Sequence, residues 1–326
     1  MSKQTRNYKL IEDAISGLQL QGMPRELYEP QRYIMEMGGK RMRPLLTLMA
    51  CELFGGRAED ALPAALGIEL FHNFSLVHDD IMDQAPIRRN KPTVHEKWSS
   101  HVAILSGDAM LIKAMQQFEK LPVAEMALVL PLFNRTALQV CEGQQFDMNY
   151  EQQSSVSITD YIRMIELKTA VLLACSLQIG AILGKAGTSD AALLYDFGKN
   201  AGIAFQLQDD LLDVFADPDK FGKQPGGDII SNKKTFLLLK ALEVSASMPY
   251  KKEELLNWIH APVSDPVHKV EAVKDIYNTL NIRKLAMEEM NRYYEKGLDA
   301  LKAIPVSEDK KSDLYRLVEE LRIREI

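Results

Sequence analysis

The sequence has no cysteine pair in CxxC spacing, no long unbroken apolar run, no excess of basic residues and almost no alternation of apolar with polar positions. Each absence excludes something. Cys51, Cys141 and Cys175 stand far apart in apolar surroundings, which argues against a zinc site or disulfide scaffold and predicts reduced core thiols in a cytoplasmic chain. A formal net charge of −6 removes the global positive field that a nucleic-acid partner or an anionic membrane surface would require. The longest apolar segment, residues 170–184, is interrupted by Ser176 and Gln178. It falls short of the roughly 20 residues of a membrane span and is expected to be a buried core helix. The opening stretch MSKQTRNYKLIEDAI is polar where a secretory signal is apolar, and no lipidation motif occurs, so export is not expected.

What remains is a chain of 326 residues, 46% hydrophobic and 26% charged, ample for a sizeable core. Apolar residues recur at helical spacing, as in Leu314, Leu317, Val318 and Leu321, which predicts an all-α fold. Glycine and proline punctuate it at Gly38-Gly39, Gly55-Gly56, Pro86 and Pro92, Pro122, Gly184 and Gly187, Pro218 to Gly227, Pro249, Pro262, Pro266 and Pro305. The intervals are long enough for helices of roughly 15–30 residues. No linker or low-complexity tract appears, so residues 1–326 are expected to form one domain.

Within these helices LVHDDIMD at 76–83 is echoed by QLQDDLLD at 206–213. With 21 aspartates, one DDxxD arises by chance in roughly one shuffled chain in ten, and a single copy also reads as a solvated acidic helix face. A chance pair is far rarer, on the order of a few per thousand. On a helix Asp79 and Asp83 share one face, about 6 Å apart along the axis, as do Asp209 and Asp213. Like charges so placed repel, and burying them uncompensated is costly, so a cation is the natural complement. Sparse hard-oxygen ligands suit magnesium, which takes its remaining ligands from water and substrate phosphate.

Basic residues gather beside these motifs: Lys40, Arg41 and Arg43 after the Gly38-Gly39 break, Arg88 and Arg89 after the first, Lys168, and Lys223, Lys233 and Lys234 around Gly226-Gly227. Arginine grips phosphate oxygens bidentately and lysine acts as a point charge, so both suit a diphosphate. Arg41 and Lys234 read equally as ordinary solvated helix ends.

Five ordered segments carry a resemblance: GGKRMRP at 38–44, FHNFSLVHDDIMDQAPIRRNKPTVH at 71–95, KT at 168–169, FQLQDDLLDVFAD at 205–217 and FGKQPGGDIISNKKT at 221–235. Together they resemble the trans-isoprenyl diphosphate synthases of the polyprenyl synthetase family, most of all the short-chain geranylgeranyl and farnesyl diphosphate synthases. The resemblance implies an all-α bundle of antiparallel helices around a deep cavity, usually in a homodimer. It implies about three magnesium ions held by Asp79, Asp83, Asp209 and Asp213. The allylic diphosphate would be held by Arg88, Lys168, Lys223 and Lys233, and isopentenyl diphosphate by Lys40, Arg43, His72 and Arg89. Thr169 and Gln206 would face the developing allylic cation. His78, although beside Asp79, is expected to pack and not to exchange protons.

Product length is then a steric matter. Phe74 and Ser75, five and four residues before Asp79, resemble the geranylgeranyl pattern, and Phe71 lies near the same face. Both rings also read as core packing. A class I terpene cyclase shares the first aspartate motif but usually carries an NSE-type second one, and a silent partner subunit would not need both motifs intact.

Overall fold

A computed structural model of the chain describes residues 3–216, 226–261 and 265–322. They group into two compact units, one drawn from 1–137, 172–195 and 304–313, the other from 138–171, 196–303 and 314–326. The all-α expectation holds: among the described residues the only strands are two of two residues each.

The first unit begins with α1 (Lys3–Ser16), α2 (Arg25–Glu36), α3 (Met42–Leu53) and α4 (Ala58–Met82). A small antiparallel hairpin follows, β1 (Ile87–Arg88) and β2 (Lys91–Pro92), then α5 (Val94–Lys97) and α6 (Ser100–Phe118). α4 is apolar on nearly every face, with Ala61, Ala64, Ala65, Ile68, Leu70 and Phe71 all buried, as expected of a central helix. It packs against α3 and α6. Its last turn leaves that core, and there the first aspartate motif begins.

α7 (Val123–Gln152) supplies residues to both units and is followed by α8 (Ile158–Ile165), a π turn (Glu166–Ala170) and α9 (Val171–Leu183). The Ser157 hydroxyl accepts from the Asp160 amide, and the Asp160 carboxylate accepts from the Ser157 amide, so a capping box fixes the start of α8. α10 (Thr188–Phe215) carries the second motif, and α11 (Gly227–Ile230) comes after the undescribed stretch. α12 (Phe236–Ser245), α13 (Pro249–His260), α14 (Pro266–Thr279), α15 (Ile282–Ala303) and α16 (Glu308–Arg322) complete the chain. α13 and α14 each open on proline, whose missing N–H costs nothing in a first turn.

One expectation holds with longer bounds, and one needs correcting. The apolar segment at 170–184 belongs to a continuous helical stretch, Ile158–Leu183, whose 26 residues are long and apolar enough to cross a membrane by length and composition. The π turn joins what sequence spacing separated. Two thirds of its apolar window (67%) is buried within the protein, as in a core helix. Cys51 and Cys175 are buried, and burial pushes both thiols up to about 12. Cys141, however, is exposed and is no core thiol. α7 buries Val140 and turns the next position outward, a consequence of about 100° of rotation per residue.

Candidate active site

In the first unit the sequence places aspartates where α4 ends. Asp83 is the C-cap, its amide donating to the Asp79 carbonyl (2.8 Å), so Asp79 and Asp83 keep their one-face relation. Asp79 is half-buried and Asp83 exposed, whereas Asp80 between them is 1% exposed. The hairpin accounts for Asp80. Its central residues Arg89 and Asn90 both have positive φ (51° and 61°), the geometry of a tight two-residue turn that matches strand twist. Arg88 thereby returns to α4 and donates Nε to both Asp80 oxygens (2.9 Å each) and Nη2 to Oδ1 (2.8 Å). The same Nη2 is 3.8 Å from Asp79 Oδ2. Arg89 donates to the Gly38 carbonyl, tying the hairpin to the turn before α3.

That turn is anchored by Arg41, which is buried in a left-handed conformation (φ 47°) and not a solvated helix end. It donates to Glu12 Oε1 (2.8 Å), Glu69 Oε1 (2.8 Å) and the Met35 carbonyl (2.7 Å). Its neighbour Lys40 is exposed. Arg43 Nη1 lies 3.0 Å from His72 Nε2, and because a guanidinium only donates, His72 accepts there as the Nδ1–H tautomer. Burial, then the Arg43, Arg89, Arg88 and Arg41 charges, hold His72 well below the usual histidine range, so it is neutral at physiological pH. Burial lowers Arg43 to about 10, and its Nε is a buried donor without a hydrogen-bond partner among the described residues.

One turn back from Asp79, Phe74 is half-buried and packs against Phe71 (5.5 Å) and His78 (4.7 Å). Phe71 is 1% exposed and continues into Phe133 (5.3 Å), which meets Phe118 (4.5 Å). The Ser75 hydroxyl folds onto the His72 carbonyl (2.8 Å), leaving a small surface beside Phe74. His78 Nε2 lies 3.2 Å from the Ile104 carbonyl and 3.8 Å from Asp108 Oδ1.

The second unit assembles a different group around α10. The π turn, a one-residue bulge of a kind frequent at functional sites, presents Lys168 and Thr169. It approaches α7 so closely that a Cβ on Gly143 would overlap the Lys168 backbone nitrogen. Lys168 Nζ donates to Asp147 Oδ2 (2.7 Å) on α7, and Thr169 Oγ1 to Gln206 Oε1 (3.3 Å) on α10. Gln206 Nε2 then donates to Asp210 Oδ1 (3.3 Å), whose other oxygen accepts from the Tyr161 hydroxyl.

Asp209 and Asp213 are half-buried, and Asp213 Oδ2 accepts from the Asp228 amide (2.9 Å). Burial raises Asp210 and Asp228 well above the usual carboxylate range, against the lowering effect of Lys233. Lys233 is exposed; Lys234 caps α7, donating to the carbonyls of Tyr150 (2.6 Å) and Glu151 (3.1 Å). Lys223 lies outside the described residues.

Sequence reasoning missed Asp147, Asp228 and Tyr161, and it gave the middle aspartates Asp80 and Asp210 no role. For these two a signal existed: a residue about 100° round from the ligand face of a packed helix points inward and needs a partner. Asp228 also stood out after Gly226-Gly227. Tyr161 carried no signal.

Residues 24–280 match the family model described as Polyprenyl synthetase. A geranylgeranyl diphosphate synthase of Sulfolobus acidocaldarius is 36% identical over 321 residues, covering 97% of this chain and 94% of the relative. A crystal structure of a geranylgeranyl pyrophosphate synthase superimposes with a TM-score of 0.93 at 40% identity, covering 98% of each chain. The Corynebacterium glutamicum geranylgeranyl pyrophosphate synthase, complexed with isoprenyl diphosphate and magnesium, has a TM-score of 0.83 at 25% identity, over 98% of this chain and 97% of its own.

The chain belongs to the polyprenyl synthetase family. It is a prenyltransferase of the short-chain trans-isoprenyl diphosphate synthase type, with the all-α fold of that class.

Proposed function

We propose that the chain condenses isopentenyl diphosphate with an allylic diphosphate and that its main product is geranylgeranyl diphosphate. The observation that carries this reading is that each aspartate motif has a cation suited to phosphate within reach: Arg88 Nη2 lies 3.8 Å from Asp79 Oδ2, and the Lys233 charge acts on Asp210, between Asp209 and Asp213. The reading requires residues 1–326 to act as one domain, with both pairs addressing one substrate.

The donor set fits magnesium. All four side chains offer hard oxygen, and among the described residues no three His, Cys, Asp or Glu side chains form a closed metal cage. The remaining ligands would come from water and diphosphate, and the magnesium complex of the corynebacterial relative supports that choice. Bound magnesium, about three ions, would neutralise charge that accumulates on the departing diphosphate.

Arg88, Lys168, Lys233 and Lys223 hold the allylic diphosphate. Lys40, Arg43, His72 and Arg89 hold that of isopentenyl diphosphate, for which the unpartnered Arg43 Nε is a ready donor. Thr169 and Gln206, already joined, turn their oxygens to the allylic cation once its C–O bond has broken. The double bond of isopentenyl diphosphate attacks that cation, and a proton is lost to the released diphosphate. No side chain acts as a nucleophile. Phe74 limits the growing chain, with Phe71 behind it and the small Ser75 beside it.

The exposed apolar residues Ile104, Leu105 and Ile112 on α6, with Leu128 and Leu138 on α7, support a homodimer. Light scattering after size exclusion tests it, and a monomer would refute it. The function is tested with purified protein, magnesium, isopentenyl diphosphate and each of dimethylallyl, geranyl and farnesyl diphosphate. Diphosphate release and an all-trans twenty-carbon product by mass spectrometry are expected; no product from any primer refutes the enzyme reading.

A further inference from the structure

The short segment 226–233 carries Asp228 and Lys233 on a single turn closed by its own backbone, the Lys233 amide donating to the Asp228 carbonyl (2.9 Å), and the turn as a whole is held from two sides. Gly226 (φ 94°) and Asn232 (φ 54°) are both in left-handed conformations, and α11 between them has only four residues. One side is tied to α10: the Gly226 amide donates to the Asp213 carbonyl (2.6 Å) and the Asp228 amide to Asp213 Oδ2 (2.9 Å). The other side rests on α14. Lys269 Nζ donates to Asn232 Oδ1 (2.7 Å) and lies 3.4 Å from the Ile230 carbonyl. Val270 closes on Gly226 so tightly that a Cβ there would come within 2.6 Å of it. Asn232 Nδ2 reaches the Ile259 carbonyl at the end of α13 (3.0 Å).

Lys269 is 2% exposed, and its position does nothing for its own helix. It stands four residues into α14, near the positive end of the helix dipole, where a cation is disfavoured. An apolar side chain would fill the space without burying an ammonium. What the ammonium supplies is a fixed Asn232, and Asn232 sets the direction of the next residue, Lys233.

We infer that Lys269 is a positioning residue for the allylic-diphosphate side of the site, holding the 226–233 segment so that Lys233 and Asp228 meet their ligand. The inference rests on the proposed function and deepens it. In the full chain, Lys269→Met should raise KM for the allylic diphosphate about tenfold while KM for isopentenyl diphosphate changes less than about twofold. Asn232→Gly, which tolerates the positive φ, removes the same contact from the other side, together with the bond to the Ile259 carbonyl. It should reproduce the split at least as strongly, and the double variant should be no worse than Asn232→Gly alone.

A binding readout stands apart from turnover: the rise in Tm given by magnesium with inorganic diphosphate should shrink in both variants. If Lys269→Met does not fold, Asn232→Gly carries the same expectations. Equal effects on both substrates, additive effects in the double variant, or a lower Tm with unchanged kinetics and ligand shift would overturn the inference. An inactive wild type would refute the proposed function instead, and the ligand-induced Tm shift would then decide the role of Lys269 alone.

Discussion

The same five-residue pattern occurs twice, and its two settings are unlike. At the end of α4 the pattern lies among arginines: Asp80 is gripped bidentately by Arg88, and Asp83 reaches solvent as a helix cap. On α10 it lies among acids and neutral donors within reach of the Lys233 charge: Asp210 takes its bonds from Tyr161 and Gln206, and the Asp228 amide donates to Asp213. In the first setting a guanidinium faces the acids directly. In the second, burial and the neighbouring carboxylates raise Asp210 and Asp228 above the usual carboxylate range. A motif thus specifies ligands, while its surroundings specify the resting charge.

The largest expected effect separates ligation from scaffolding. Asp83→Ala should lower kcat on the order of a hundredfold or more with an unchanged Tm, because Asp83 is exposed. Asp213→Ala should also lower Tm, since it removes the anchor of the Asp228 amide; equal Tm values would show the two aspartates to be equivalent. Next, Arg88→Ala leaves Asp80 a buried, unpaired carboxylate and should cost on the order of 3 kcal/mol in denaturant unfolding. Tyr161→Phe should cost only about 1 kcal/mol, because Asp210 can take up a proton. The reverse ranking would break the comparison.

The third prediction uses pH. Asp210 and Asp228 have folded-state values above their unfolded ones, so the folded state binds protons more tightly. Their contribution to stability is fully present below the ordinary carboxylate range, about pH 4, and is lost as pH rises through the raised folded values. Asp228→Asn, neutral at every pH, should flatten that loss in metal-free protein melted between about pH 4 and pH 8. Parallel Tm profiles would contradict it. The smallest effect concerns product length alone: Phe74→Ala should shift products toward longer chains with little change in turnover, and an unchanged distribution by mass spectrometry would acquit the ring.

Much of this was legible in the sequence. Helical spacing and glycine–proline breaks located α3, α4, α7 and α10 because long helices repeat a simple period. The ligand face of each motif came from the i,i+4 rule, which is local. Partners drawn from distant segments were not legible: no spacing links Tyr161 to Asp210 or Asp147 to Lys168, and only the folded chain brings them together. Arg41 read equally as a phosphate-side cation and a solvated helix end, because sequence shows its charge but not the two glutamates that enclose it. Cys141 misled for a related reason, since apolar neighbours along a helix do not share a direction.

The π turn at Glu166–Ala170 has a last consequence. A chain shorter by one residue there could continue as ordinary α-helix from Ile158 to the end of α9 and lose nothing in helical hydrogen bonds. It would, however, turn Lys168 and Thr169 about 100° relative to α9. A single-codon deletion in this stretch should therefore turn the buried face of α8, with Tyr161, Met164 and Ile165, away from its partners and cost stability as well as chemistry, so the extra residue is what lets α8 and Lys168 face their neighbours together.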